Sequence, residues 1–356
     1  MKHQHILVIR FSALGDVAMT VPIVWAVARQ YPDVRITVLS RAFARSFFEN
    51  LAPNVNFMEA DLKGEYHGIK GLNTLYRRLA AKQFTHVADL HSVLRSKYLR
   101  MRFNMSHFKV SHIDKHRKMR RQLVSKNKKV RQQLPTSFEN YIEVFAKLGF
   151  PIDHIDFKSI FPSGGGNLHL LPEQIGMKGE GEKWIGIAPF AAHKGKIYPK
   201  EQMQEVISEL TKRYPKARIF LFGRGKEEEE VFPKWEQLMP QCTCVSWHLD
   251  TMEQELILMS HLDVMVSMDS ANMHLASLTA TPVVSIWGAT HPMAGFLGWN
   301  QNIDNVVQLN MDCRPCSIYG QKPCIHGDFR CMTGIKPEMI LEKITKIINP
   351  LKQRVL

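Results

Sequence analysis

Short apolar runs and amphipathic stretches alternate along most of the chain. Ile6-Leu7-Val8-Ile9 is a continuous apolar run closed by Arg10, the form of a strand buried on both faces. The spacing beyond it predicts a helix ended by Tyr31-Pro32, a strand over 34–39, a helix around 72–82 and a strand edge over 86–89. Tyr141, Ile142, Phe145 and Leu148 recur at helical spacing and stop at Gly149, which predicts a helix over 138–148. The pattern then breaks. Ser163-Gly164-Gly165-Gly166 and Gly179-Glu180-Gly181 bracket a short apolar piece, so 162–183 reads as a linker or an interdomain edge and is expected to hold the hinge.

Beyond the break, strands are expected over 184–188, 218–222, 264–267 and 282–287. Helices are expected over 200–214, 252–260, 271–278 and 336–351. Cys242-Thr243-Cys244 also reads as strand. Such alternation signals parallel sheets with helical crossovers, and 356 residues are too many for one ordinary core. The expectation is an α/β protein of two Rossmann-like, doubly wound domains, 1–165 and 183–335. The helix of 336–356 would brace them, and ligands would bind in a central cleft between the carboxyl ends of the two sheets.

Composition supports a globular chain, with 45% hydrophobic and 22% charged residues. No apolar run approaches the ~20 residues of a spanning helix. The first run, about four residues, is shorter than an export signal's core, so a cytoplasmic location is expected. The net charge of +14 is unevenly placed: 95–131 holds fourteen Lys or Arg and a single acid, Asp114. A solvated helix face normally mixes signs, so this segment reads as a surface for a polyanion, with a partnerless basic face as the alternative. Nucleic acid, anionic lipid and a phosphorylated glycolipid would each satisfy the charge. Six cysteines in a reducing compartment are not expected to form disulfides.

Chemistry concentrates where strands end. Arg10-Phe11-Ser12-Ala13-Leu14-Gly15-Asp16 directly follows the first strand, a place suited to an anion or a reactive carboxylate. Asp16 is either a helix cap or a reactive carboxylate. No G-x-G-x-x-G is present, which disfavours a dinucleotide enzyme. Met268-Asp269-Ser270-Ala271-Asn272-Met273-His274 joins a strand to a helix whose N-terminal N–H groups would face a phosphate. Phe222-Gly223-Arg224-Gly225 opens a helix through Glu227, Glu228, Glu229 and Glu230. Cys313-x-x-Cys316, Cys324 and Cys331 form a compact four-thiol set, read as reduced thiols with structural zinc as the alternative.

Arg-Phe-Ser-Ala-Leu-Gly-Asp-Val resembles the N-terminal motif of glycosyltransferase family 9, which includes the ADP-heptose:lipopolysaccharide heptosyltransferases. Three further blocks are similar in the same order. They are Pro189–Pro199, similar to a Pro-Gly-Ala loop ending in Lys-x-Trp-Pro; Gly223–Glu227; and the Asp269–Ala276 block, similar to Asp-[Ser/Thr]-[Ala/Gly]-x-x-His-x-Ala. The resemblance implies a GT-B-like fold and an inverting, metal-independent transfer. Asp16 would be the general base and Lys196 the diphosphate contact, with Lys194 as its rival. Glu227 would bind the ribose. Asp269, Ser270 and Ala271 would hold the donor, as would Gly288, Ala289 and Thr290 after the next strand, while His274 is structural. Phe190, Ala191, Ala192 and Tyr198 depart from the family pattern.

On this resemblance the donor is a nucleotide sugar, ADP-heptose, serving as substrate, and no cofactor is needed. The acceptor is an anionic glycolipid of the lipopolysaccharide core, met by Ser12, Gly15, Arg117, Lys118, Arg120 and Arg121. The enzyme would lie peripherally at the inner face of the membrane and bind no nucleic acid. The absence of any Asp-x-Asp pair fits a site in which lysine and helix dipoles replace a metal. A two-domain nucleotide-sugar epimerase or hydrolase is the alternative.

Overall fold

A computed structural model describes residues 4–349. The chain divides into two compact units. One holds the chain up to His116 together with Pro135–Ile160; the other holds Arg117–Leu134 and the chain from Phe161 onward. The first unit thus ends near the expected boundary, but it gives up 117–134. The basic run read as one surface is divided after His116.

The first unit carries strands β1 (His5–Ile9), β2 (Arg35–Ser40), β3 (Val55–Glu59), β4 (His86–Asp89) and β5 (Lys109–His112). They form one parallel sheet in the order β3-β2-β1-β4-β5. The chain winds outward from β1 to β3 and then returns to β4 on the other side. Its topological switch point therefore lies between β1 and β4, where Ile9 is level with Asp89. Leu7, Ile9, Leu75, Val87, Leu99 and Phe103 are among the side chains of its core. The helix Ser137–Leu148 starts on a reciprocal cap between Thr136 and Glu139 and stops at Gly149, whose φ of 94° suits a residue without a Cβ.

The second unit carries β6 (Trp184–Ala188), β7 (Arg218–Leu221), β8 (Cys242–Cys244), β9 (Val264–Met268), β10 (Val283–Ile286) and β11 (Val306–Val307). Its parallel order is β11-β10-β9-β6-β7-β8, which places the switch point between β6 and β9. Both of these strands are buried along their whole length, as parallel strands covered on two faces must be.

Two expectations are corrected here. The glycine-rich stretch 162–183 is not a free linker but packs on the second unit. Gly166 N–H donates to Ser260 Oγ at 2.9 Å, and Lys178 Nζ lies 2.7 Å from Asp263 Oδ2. A Cβ on Gly165, where φ is +85°, would come within 2.8 Å of Ser260 Oγ. Gly165 and Gly166 thus permit close approach to the second unit. The last helix, Pro337–Ile348, packs against the helix Lys200–Arg213 and strands β9 and β10, all within the second unit. The rest of the expected brace, 350–356, lies outside the described residues.

Candidate functional site

Each switch point gathers a set of polar side chains. In the first unit the turn after β1 presents Asp16 in the first turn of the short helix Leu14–Ala18. Asp16 Oδ2 accepts the Ala13 N–H at 3.1 Å and lies 2.6 Å from Arg10 Nη2. The carboxylate therefore caps its helix, and a buried guanidinium also fixes it. Arg10 is anchored in turn by donating to Leu90 O at 2.5 Å. About a third of the Asp16 side chain remains exposed to solvent (34%).

β4 ends beside this turn. Asp89 is wholly buried; Oδ1 accepts from the N–H groups of His91 and Ser92, and Oδ2 pairs with Arg100 Nη1 at 3.3 Å. His91 packs under the Asp16 turn, with Nδ1 accepting the Phe11 N–H at 3.4 Å and Nε2 3.4 Å from Ser12 Oγ. Burial, reinforced by Arg10, pushes its pKa down to about 3. The ring is thus neutral at physiological pH. Since Nδ1 accepts, Nε2 carries the hydrogen and points it at Ser12. Sequence reasoning gave no role to Arg10, Asp89 or His91; their signal was position alone, at the ends of β1 and β4.

In the second unit the loops after β6 and β9 meet at the switch point. Lys196 Nζ lies 2.9 Å from Asp269 Oδ2, and both side chains are largely buried. The approach is ionic rather than a well-aligned hydrogen bond. The lysine stem runs over Gly320, where an added Cβ would come within 2.7 Å of it. Lys194, the rival, is exposed. Ser270 is the N-cap of the helix Ala271–Leu278 without capping it through its side chain; its Oγ lies 3.2 Å from Ser267 Oγ. The half-exposed Ser270 and Ala271 therefore leave N-terminal N–H groups open to an anion. His274 is buried within that helix.

The loop Gly288-Ala289-Thr290 differs from expectation. It is buried, and the Ala289 N–H donates to Gly195 O at 2.8 Å. Ala289 O accepts from the N–H groups of Cys316 and Ser317. The loop supports the lysine turn rather than lining the surface. What holds it is Arg314, 3% exposed, which donates to Trp287 O at 3.1 Å, Thr290 O at 2.9 Å and Gln308 Oε1 at 2.9 Å. It also donates to Gly288 O and Leu309 O. Burial lowers its pKa to about 10, which leaves it charged. A lone arginine in a cysteine-rich tail gave no sign of this work.

Among the carboxylates after β7, Glu227 is exposed while Glu228 folds back over the loop. A Cβ on Gly223 or Gly225 would come within 2.9 or 2.7 Å of it. Tyr198, standing where the family has tryptophan, is wholly buried and donates to Ile335 O at 2.9 Å.

The basic arm 117–134 lies along the second unit. Lys129 Nζ donates to Asp312 O and Cys313 O, Arg131 pairs with Asp312 at 3.1 Å, and Leu134 N–H donates to Met293 O. Arg120 donates to Tyr319 Oη at 2.7 Å and lies over the Phe296 ring. Arg117, Lys118 and Arg121 are exposed. All six cysteines are unpaired thiols. Among the described residues no three His, Cys, Asp or Glu side chains form a group that could hold a metal ion. Cys331 belongs to the core of the second unit, and burial raises its pKa to about 11. Among the described residues no helix is long and apolar enough to cross a membrane.

A family model, glycosyltransferase family 9 (heptosyltransferase), matches residues 72–324. Lipooligosaccharide heptosyltransferase 2 of Campylobacter jejuni is 23% identical over 345 residues, 95% of this chain and 97% of that protein. The glycosyltransferase family 9 structure from Veillonella parvula superposes with a TM-score of 0.73 at 18% identity, covering 98% of each chain. The ADP-heptose lipopolysaccharide heptosyltransferase II of E. coli gives 0.67 at 18% identity, over 98% of this chain and all of that one. The match and these relatives favour a glycosyltransferase over the epimerase or hydrolase alternative.

Proposed function

Because the chain belongs to glycosyltransferase family 9, the heptosyltransferase family, we propose that it moves heptose from ADP-heptose to an anionic lipopolysaccharide-core acceptor at the inner face of the cell membrane, inverting the anomeric centre without metal or cofactor. The observation that carries this reading is Lys196, seated over Gly320 and 2.9 Å from Asp269 beside an uncapped helix N-terminus. That set offers one buried cation and open N–H groups to a diphosphate. The donor named for the E. coli protein and the acceptor class named for the Campylobacter one agree with it.

In this scheme the acceptor oxygen bonds to C1 of heptose as the bond from C1 to the diphosphate oxygen breaks. Asp16 takes the hydroxyl proton as the new bond forms, because an alcohol is too weak an acid to lose it earlier. Arg10 holds the Asp16 carboxylate in place, while Ser12 and Gly15 border the acceptor. Lys196 and the amides at Ser270 and Ala271 stabilise the charge gathering on ADP, the task a metal performs in other designs. Gly288, Ala289 and Thr290 act through the shape they give the lysine turn. Ribose recognition falls to the carboxylates after β7, Glu227 by its spacing and Glu228 by its place against Gly223 and Gly225. Arg117, Lys118 and Arg121 meet acceptor phosphates, and Arg120 sets their helix against Tyr319.

A melting-temperature panel of nucleotide diphosphates and nucleotide sugars tests the reading, since a ligand that binds only the folded chain stabilises it. ADP-heptose and ADP should raise the melting point and uridine or guanosine counterparts should not. Equal stabilisation by all bases would overturn the donor assignment.

A further inference from the structure

The helix Leu94–Met105 in the first unit is apolar on two opposite faces. Ser96, Leu99 and Phe103 are buried on the side that meets the sheet. At 100° per residue, Leu94, Met101 and Met105 fall about 180° away from them. These three side chains are 85%, 50% and 71% exposed. Arg95 and Lys97 stand to either side, exposed and without an ion pair among the described residues.

The patch continues onto the neighbouring helix Gly68–Ala80. Arg102 donates to Asn73 Oδ1 and lies over the Tyr76 ring, which fixes the side by which the two helices meet. Ile69, 73% exposed, sits one turn before Asn73 on that side, and Lys70 beside it is exposed. Together the two helices carry seven Lys or Arg and no acid. Arg78 is offset by Glu65 at 3.6 Å and Arg100 by Asp89, while Lys70, Arg77, Arg95 and Lys97 stay open to solvent.

Scattered exposed apolar residues need no explanation, but four grouped within a ring of cations do. The geometry points to this face as the enzyme's seat on an anionic phospholipid bilayer. Leu94, Met101, Met105 and Ile69 enter the headgroup boundary, and Lys70, Arg95 and Lys97 pair with lipid phosphates. A second copy of the chain fits poorly, because two such faces would oppose cation to cation. The basic arm 117–134, the more obvious candidate from charge, is instead occupied in part by carbonyls and Asp312 of the second unit. The inference rests on the reading of a membrane-borne acceptor, yet it can be tested without any acceptor.

The full chain is sedimented with vesicles of phosphatidylcholine alone or phosphatidylcholine with phosphatidylglycerol. Wild type should bind the anionic vesicles, and L94E/M101E should weaken that binding about tenfold or more, with its melting point and its stabilisation by ADP unchanged. K126E/K128E, in the arm, should bind the vesicles as wild type does. Vesicle binding retained by L94E/M101E, lost only in K126E/K128E, or absent in wild type would each overturn the docking face. Failure to transfer heptose by a protein that binds vesicles this way would overturn only the functional reading.

Discussion

The ion pair between Lys196 and Asp269 should act in both stability and donor binding, and the two effects can be separated. Lys196→Met leaves a 4%-exposed carboxylate facing no cation at the switch point of the second sheet. Removing one member of a buried pair costs about 3–5 kcal/mol, because the other charge stays desolvated. In a unit of roughly 200 residues each kcal/mol moves the melting point about 2–4 °C, so a fall of about 6–20 °C is expected. Lys196→Met/Asp269→Asn removes both charges and should recover most of that loss. The double variant should not recover ADP-heptose, because the missing cation is worth about 1.5–3 kcal/mol to a phosphate, or about ten- to a hundredfold in Kd. The assay is a double-mutant cycle read by thermal unfolding and by titration calorimetry with ADP-heptose. A single variant that melts like wild type, or a double variant that melts no higher than the single, would refute the coupling. Wild-type donor affinity in Lys196→Met would refute the diphosphate role.

Other residues give independent tests. Arg314→Lys cannot reach the carbonyls of Trp287, Thr290 and Leu309 together, so it should destabilise the protein by about 3 kcal/mol and weaken ADP binding; an unchanged melting point would remove Arg314 from the support of the loop. Glu228→Gln should weaken ADP-heptose about tenfold, and calorimetry showing a larger effect for Glu227→Gln would return the ribose contact to the spacing-based choice. His91 binds its proton far less readily when folded, at about 3, than its ordinary ~6.5 when unfolded. Its contribution is therefore complete above about pH 6.5 and lost as acid protonates the unfolded chain, by up to about 1.4 kcal/mol per pH unit. Urea unfolding at pH 7 and pH 5 should show a smaller acid loss in His91→Gln than in wild type; equal losses would contradict the buried neutral ring.

The second unit was the more legible half of the sequence. Strands β6 and β9 and the helix Ala271–Leu278 are long, one-signed patterns, and their expected bounds match within a residue. Strands β3 and β5 were missed because Val-Asn-Phe-Met-Glu and Lys-Val-Ser-His lie at the two edges of their sheet and carry polar residues toward solvent. The helix Leu94–Met105 was missed for the opposite reason: apolar residues on both faces leave no one-sided periodicity. The motif residues were legible because they follow strands, but their partners were not. Nothing local says that Arg10 reaches Asp16, that Arg314 reaches back 24 residues to Thr290, or that the Ala289 N–H is already engaged. Charge counting also could not reveal that 95–131 divides between two units.

The proton acceptor can be examined most directly by measuring heptose transfer and ADP-heptose binding together in Asp16→Asn. Asparagine can still accept the Ala13 N–H that caps the helix, so the turn should persist. Donor affinity should match wild type while the transfer rate falls about 10²–10⁴-fold, the usual contribution of a positioned base. Transfer within a few-fold of wild type would show that Asp16 does not take the acceptor's proton.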